Sequence, residues 1–109
     1  SHWVCMFIDL KLNHIYYWDS YGVEPSKEVI NFANKIKKQG LEFNKKIIFH
    51  INTYRHQFKN SECGMYCLWF LIKLLESNNS LKTYNKIIVK KVKDQIMQKN
   101  RDVLFVRYK

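Results

Sequence analysis

Met65 to Ile72 is a run of eight consecutive apolar residues, set in the longer stretch "NSECGMYCLWFLIKLLE" from Asn60 to Glu76. A helix of that composition is apolar on nearly every face and has little to offer water, so it belongs in the middle of the fold. A chain of 109 residues has room for one domain with a single modest core. The helix is predicted from Glu62 to about Glu76, with Ser61 placed to cap it. No apolar run reaches the roughly 18 residues of a membrane span, so no membrane partner is expected.

The rest of the chain supplies a sheet and a second helix. Trp3 to Leu10 (WVCMFIDL) is β-rich and apolar on both faces until Asp9, the pattern of a central strand. Lys11 to His14 turns the chain, and Ile15 to Trp18 completes a hairpin that Asp19-Ser20-Tyr21-Gly22 ends. Ser26 caps a predicted helix with the stripe Val29, Ile30, Ala33 and Ile36, and Gly40 is its expected stop. Lys45 to Asn52 reads as a third strand, and the tail from Lys93 to Phe105 as helical. The fold class is α+β: a small mixed sheet packed around a central buried helix. Residues 1–109 form a single domain without repeats or low-complexity linkers. No signal peptide is visible, and an opening Ser1 in place of Met points to a fragment or a processed chain.

Three cysteines, an odd number, make no disulfide framework. Free thiols in a reducing intracellular compartment are the expectation. The formal net charge is +10, and 16 of the 19 basic residues are lysine. Solubility is the plain reading of that charge. Weak binding of DNA or another polyanion is the second. Cys63, Cys67, His50 and His56 fit no common zinc spacing, and three scattered glycines make no phosphate loop. No cofactor or metal is expected.

The chemistry concentrates where the polar run "HQFKNSE" meets the apolar helix. Cys63 falls in the first helical turn, where backbone N–H groups and the positive end of the macrodipole favour an anion. A thiolate there is an activated nucleophile, and Gly64 behind it permits close approach of a substrate carbonyl and of a neighbouring strand. The plainer alternative makes Cys63 a small apolar core residue. A nucleophile needs a base and a group to orient it. His2 and Asp19 stand at the two outer ends of the predicted hairpin, which an antiparallel pair brings side by side. Gln57, six residues before Cys63, has an amide N–H to donate to an oxyanion. A strand-end His, a turn Asp and a loop Gln are the alternatives.

The order His, Asp, Gln, Cys is the reverse of the papain arrangement. "HWVCMFIDLKLNHIYYWDSYG" followed by "HQFKNSECGMYC" resembles the Ulp, sentrin-protease and adenain-like cysteine proteases (clan CE), with a flavour of the processing proteases of large DNA viruses. The matching motifs are His2-Trp3, Tyr17-Trp18-Asp19-Ser20 and Gln57…Cys63-Gly64, with Met97…Arg101 resembling the C-terminal segment. The resemblance implies His2 as general base, Asp19 as its orienter, Gln57 as oxyanion donor and Cys63 as nucleophile. Trp3 would cover a narrow channel for a Gly-Gly tail, alongside its alternative as a core residue of the first strand.

The implied activity is a thiol endopeptidase that processes a viral polyprotein or structural protein after Gly-Gly, in host cytoplasm or virion. A protease acting on a ubiquitin-like modifier such as SUMO, in nucleus or cytoplasm, is the alternative with the same chemistry. A basic nucleic-acid-binding module is the alternative of another class. Family domains carry a segment ahead of the His that this sequence lacks, so an N-terminal substrate-binding portion is expected outside it. The protein substrate is the principal partner, and a monomer is expected.

Overall fold

A computed structural model describes residues 2–57 and 63–89, together with Met97, Lys99 and Asn100. In chain order the elements are β1 (Cys5–Asp9), β2 (His14–Trp18), α1 (Lys27–Glu42), β3 (Ile48–Ile51), α2 (Cys63–Leu75) and α3 (Ser80–Val89). The hairpin turn is built by Asp9, whose Oδ1 accepts the N–H groups of Lys11 and Leu12 at 3.0 Å each. Asn13 closes it at φ 64°, a left-handed conformation that Asn tolerates.

β1 pairs antiparallel with β2, from Cys5↔Trp18 to Asp9↔His14. β2 pairs in parallel with β3, from His14↔Ile48 to Tyr17↔Ile51. A parallel pair cannot be joined by a tight turn, and α1 makes the crossover. The order β1-β2-β3 corrects the expectation that the first strand is central. β2 is central and almost wholly buried, whereas Ile8 of β1 is partly exposed. Alternation along β2 sends Ile15 toward Ala33 and Ile47 beneath α1, and sends Tyr16 and Trp18 toward α2 and α3 on the other face. The Trp18 ring lies parallel to Phe70, with centroids 4.8 Å apart.

Ser26 caps α1, accepting the Val29 N–H at 3.3 Å. The other end departs from expectation. Gly40 does not stop the helix, which runs on to Glu42. Asn44, at φ 59°, supplies the left-handed residue, and the N–H groups of Asn44 and Lys45 bond the carbonyls of Leu41 and Gly40. That is a Schellman closure. Gly40 serves packing instead, since a Cβ there would lie 2.6 Å from Ile47 Cδ1 and 3.0 Å from the Lys45 carbonyl oxygen.

α2 buries Cys63, Met65, Tyr66, Cys67, Phe70 and Leu74 along one face, while Leu75 is 72% exposed. α3 was not anticipated. Its first residue, Ser80, donates its hydroxyl to Asp9 Oδ2 and bonds the Tyr16 hydroxyl, tying the helix to the hairpin. Ser61, Glu62, Arg101 and most of the expected tail helix lie outside the described residues. Within that tail, Met97 is helical and buried in the main core.

Candidate active site

Because Cys5 is paired with Trp18, the residues ahead of β1 and those after β2 leave the sheet at the same end. His2 and Asp19 meet there, with His2 Nε2 2.7 Å from Asp19 Oδ1. The same carboxylate oxygen accepts the Tyr21 N–H at 2.8 Å. Asp19 is buried, and its main chain is gripped on both sides by Asn52. The Asp19 N–H donates to Asn52 Oδ1 at 2.9 Å, and Asn52 Nδ2 donates to the Asp19 carbonyl at 2.8 Å. Asn52 directly follows β3, so the parallel crossover delivers this clamp. Gly22, at φ +71°, returns its N–H to the Asp19 carbonyl, and a Cβ on it would sit 2.8 Å from the Thr53 carbonyl oxygen. The turn after β2 and the segment after β3 are therefore in direct backbone contact.

Cys63 is the first described residue of α2 and is buried. The backbone N–H of Trp3 donates to its sulfur at 3.4 Å. Trp3 thus hands a donor to the sulfur while its neighbour His2 holds Asp19. The Trp3 side chain lies ahead of β1 and is 65% exposed, which removes its alternative as a core residue. Its ring edge comes within 3.9 Å of the position a Gly64 Cβ would take. That is ordinary contact, and among the described residues no strand backbone comes within 4 Å of that position, against the expected close packing of a strand on Gly64.

Gln57 and Ser20 are fully buried against each other. The Ser20 hydroxyl donates to Gln57 Oε1 at 2.6 Å, and the Ser20 carbonyl accepts the N–H groups of His56 (2.7 Å) and Gln57 (2.9 Å). Arg55 Nε donates to the Gln57 carbonyl at 2.7 Å. The Arg55 guanidinium lies over the Tyr21 ring at 5.0 Å, and Tyr21 stacks on the His2 imidazole at 4.5 Å. Two routes therefore connect the His2–Asp19 pair to Gln57, one through Ser20 and one through Tyr21 and Arg55. Ser20 and Tyr21 adjoin Asp19 in "DSYG", which is the signal that could have found them. Asn52 and Arg55 carry no comparable signal.

The other cysteines are accounted for by packing. Cys67 is a core residue, and the Cys5 thiol donates to the Cys67 carbonyl at 3.8 Å. The Cys67 side chain, followed by burial, pushes the Cys5 thiol far above its ordinary range. The histidines are likewise separate. His14 Nδ1 and His50 Nε2 are 2.9 Å apart, while the His56 ring packs 4.8 Å from Trp18. Among the described residues no group of three or more His, Cys, Asp or Glu side chains is placed to hold a metal.

Residues 1–108 match the Ulp1 protease family, C-terminal catalytic domain. A protein of Acanthamoeba polyphaga mimivirus named as a thiol protease is 33% identical over 110 residues, covering 96% of this chain and 34% of that protein. A protein of African swine fever virus named as a SUMO-1 cysteine protease is 30% identical over 108 residues, covering 96% of this chain and 38% of its own length. A crystal structure of the African swine fever virus protease superposes with a TM-score of 0.75 at 27% identity, over 88% of this chain and 36% of that one. The chain therefore spans about a third of the length of the curated relatives it matches.

Proposed function

The chain belongs to the Ulp1 protease family, and on that premise we propose that it carries the catalytic centre of a thiol endopeptidase. Cys63 is the nucleophile, His2 the general base, Asp19 the group that orients it and Gln57 an oxyanion donor. One observation carries the reading. His2 bonds Asp19 at 2.7 Å while the adjacent Trp3 N–H reaches the Cys63 sulfur at 3.4 Å. With Nε2 committed to Asp19, Nδ1 is the ring atom that exchanges a proton with the thiol. The thiolate attacks the scissile carbonyl, forming a C–S bond as the carbonyl electrons move to oxygen. Collapse of that intermediate expels the amine, which takes its proton from the imidazolium. Water, deprotonated by His2, then cleaves the thioester and restores the thiol. In this reading the N–H groups at the start of α2 and the Gln57 amide supply the donors for the charge that develops on the carbonyl oxygen.

Specificity for small residues, Gly-Gly above all, is the role the family resemblance implies for Trp3, and its exposed ring beside Gly64 supports that reading. A viral polyprotein or structural protein is the substrate class that fits the viral relatives. The SUMO-1 name of one relative favours a second reading, a ubiquitin-like precursor or conjugate cut by the same chemistry. Profiling the intact protein against Gly-Gly-X peptides and ubiquitin-like precursors in parallel separates the two. Cleavage after Gly-Gly, abolished by Cys63→Ala, is expected. Cleavage that survives Cys63→Ala, or none of either substrate, contradicts the proposal.

A further inference from the structure

We propose that Ser20 is a positioning residue for the reaction, holding the Gln57 amide so that its nitrogen, and not its oxygen, is presented to the developing oxyanion. This rests on the reading of Gln57 as oxyanion donor. The two ends of a carboxamide have nearly the same shape and opposite electrostatics. A buried Gln with nothing to choose between them would present either, and an amide oxygen facing an oxyanion repels it. Ser20 bears directly on that choice. Its Oγ lies 2.6 Å from Gln57 Oε1, a separation typical of O–H···O bonds and shorter than the usual N–H···O range. With Oε1 held by the hydroxyl, the NH2 group points to the other side of the amide plane.

The same residue fixes the backbone of its client. The Ser20 carbonyl accepts the N–H groups of both His56 and Gln57, so this dipeptide is docked on the residue that follows Asp19. The oxyanion donor and the orienter of the base are therefore set by consecutive residues of one turn. Removing the hydroxyl leaves both main-chain bonds in place, which separates the effect on the amide from the effect on the fold. It also takes away the hydroxyl donor from a fully buried amide oxygen, which weakens the preference for this orientation of the amide.

The test is a four-protein cycle in the intact protein: parent, Ser20→Ala, Gln57→Ala and the double variant. Cleavage of a Gly-Gly-aminomethylcoumarin peptide and the rate of Cys63 alkylation by iodoacetamide are both measured. Iodoacetamide reacts without forming an oxyanion, so it reports the thiolate and its base alone. Gln57→Ala should lower kcat ~10²-fold, and Ser20→Ala about tenfold or more, with KM little changed. Because Ser20 acts through Gln57, the double variant should match Gln57→Ala to within about twofold. Alkylation of Cys63 should stay near the parent rate in all four proteins. Ser20→Cys, close in size but a weaker donor, should fall between parent and Ser20→Ala, and it carries the test if the alanine variant does not fold. A parent-level kcat in Ser20→Ala, or effects that multiply in the double variant, would overturn the role of Ser20 alone. A parent that cleaves no such peptide, or cleavage that survives Cys63→Ala, overturns the reading of the site itself and the role of Ser20 with it.

Discussion

His2 and Trp3 are neighbours in sequence with different duties. The side chain of one bonds Asp19, and the backbone of the other donates to the Cys63 sulfur. Asp19 uses a single oxygen, Oδ1, for both the His2 ring and the Tyr21 N–H. An Asn can keep both bonds through its own Oδ1 but cannot offset the charge of an imidazolium. Asp19→Asn should therefore fold as the parent does and retain part of the peptidase activity. His2→Ala should lose roughly 10²–10⁴-fold, the contribution of a general acid–base group. Parent-level rates in both variants would place the base elsewhere. These residues were legible in the sequence because few side chains can do their chemistry and because their order along the chain is restrictive. Ser20 was legible only as the neighbour of Asp19 in "DSYG", and Asn52 not at all, since Ser and Asn are what any turn or strand end uses. Only the fold shows that one docks Gln57 and the other clamps Asp19.

At the level of elements, α1 shows how a correct helix can carry a wrong stop. Gly40 reads as a terminator, yet Asn44 closes the helix and Gly40 admits Ile47 and the Lys45 carbonyl. An exposed helical Gly→Ala change gains about 1 kcal/mol. Here a backbone oxygen stands 3.0 Å from the new methyl, so Gly40→Ala should lower the melting temperature instead of raising it. Gly22→Ala should also destabilise, by about 1–2 kcal/mol, because φ is +71° there and the Thr53 carbonyl blocks the Cβ. The first strand misled for a different reason. An apolar pattern on both faces reports burial, but strand order is decided by a distant partner, and β3 pairs with β2 only through the α1 crossover. α3 was legible as well, though not anticipated, since Leu81, Tyr84, Ile87 and Ile88 recur at helical spacing with polar residues between them. The β2–β3 pair also carries a pH dependence. Burial, then the adjacent His14 ring, holds His50 below the ordinary histidine range. Tyr16 and Tyr84 pack on the His50 ring, and Asp9 lies opposite His14 across the hairpin. The folded protein then binds fewer protons than the unfolded chain, so stability is lost as pH falls through the unfolded histidine value of about 6.5. His50→Phe should flatten the melting temperature across that window. An unchanged slope would assign the dependence to another group.

Over the whole molecule, the net charge of +10 says little about the chemistry. Of the described lysines, Lys27, Lys35, Lys37 and Lys38 lie on α1, Lys73 on α2, and Lys82 and Lys86 on α3, with Lys11, Lys45, Lys46 and Lys99 outside these helices. Such a distribution predicts DNA binding that is weak at low salt and steeply lost as salt rises. Binding that persists at high salt would point to a specific nucleic-acid site. The three thiols offer the sharper discrimination, because exposure and chemistry rank them differently. Cys63 and Cys67 are buried, while Cys5 is the more exposed. Accessibility alone therefore puts Cys5 first. Its thiol is held protonated beside Cys67, whereas Cys63 sits at a helix start with a backbone N–H on its sulfur. The measurement is the rate of iodoacetamide labelling at each cysteine of the native, intact protein, read by peptide mapping at neutral pH. A triad centred on Cys63 requires Cys63 to be labelled first and to lose that preference in His2→Ala. Labelling led by Cys5, or equal at all three cysteines, would contradict it.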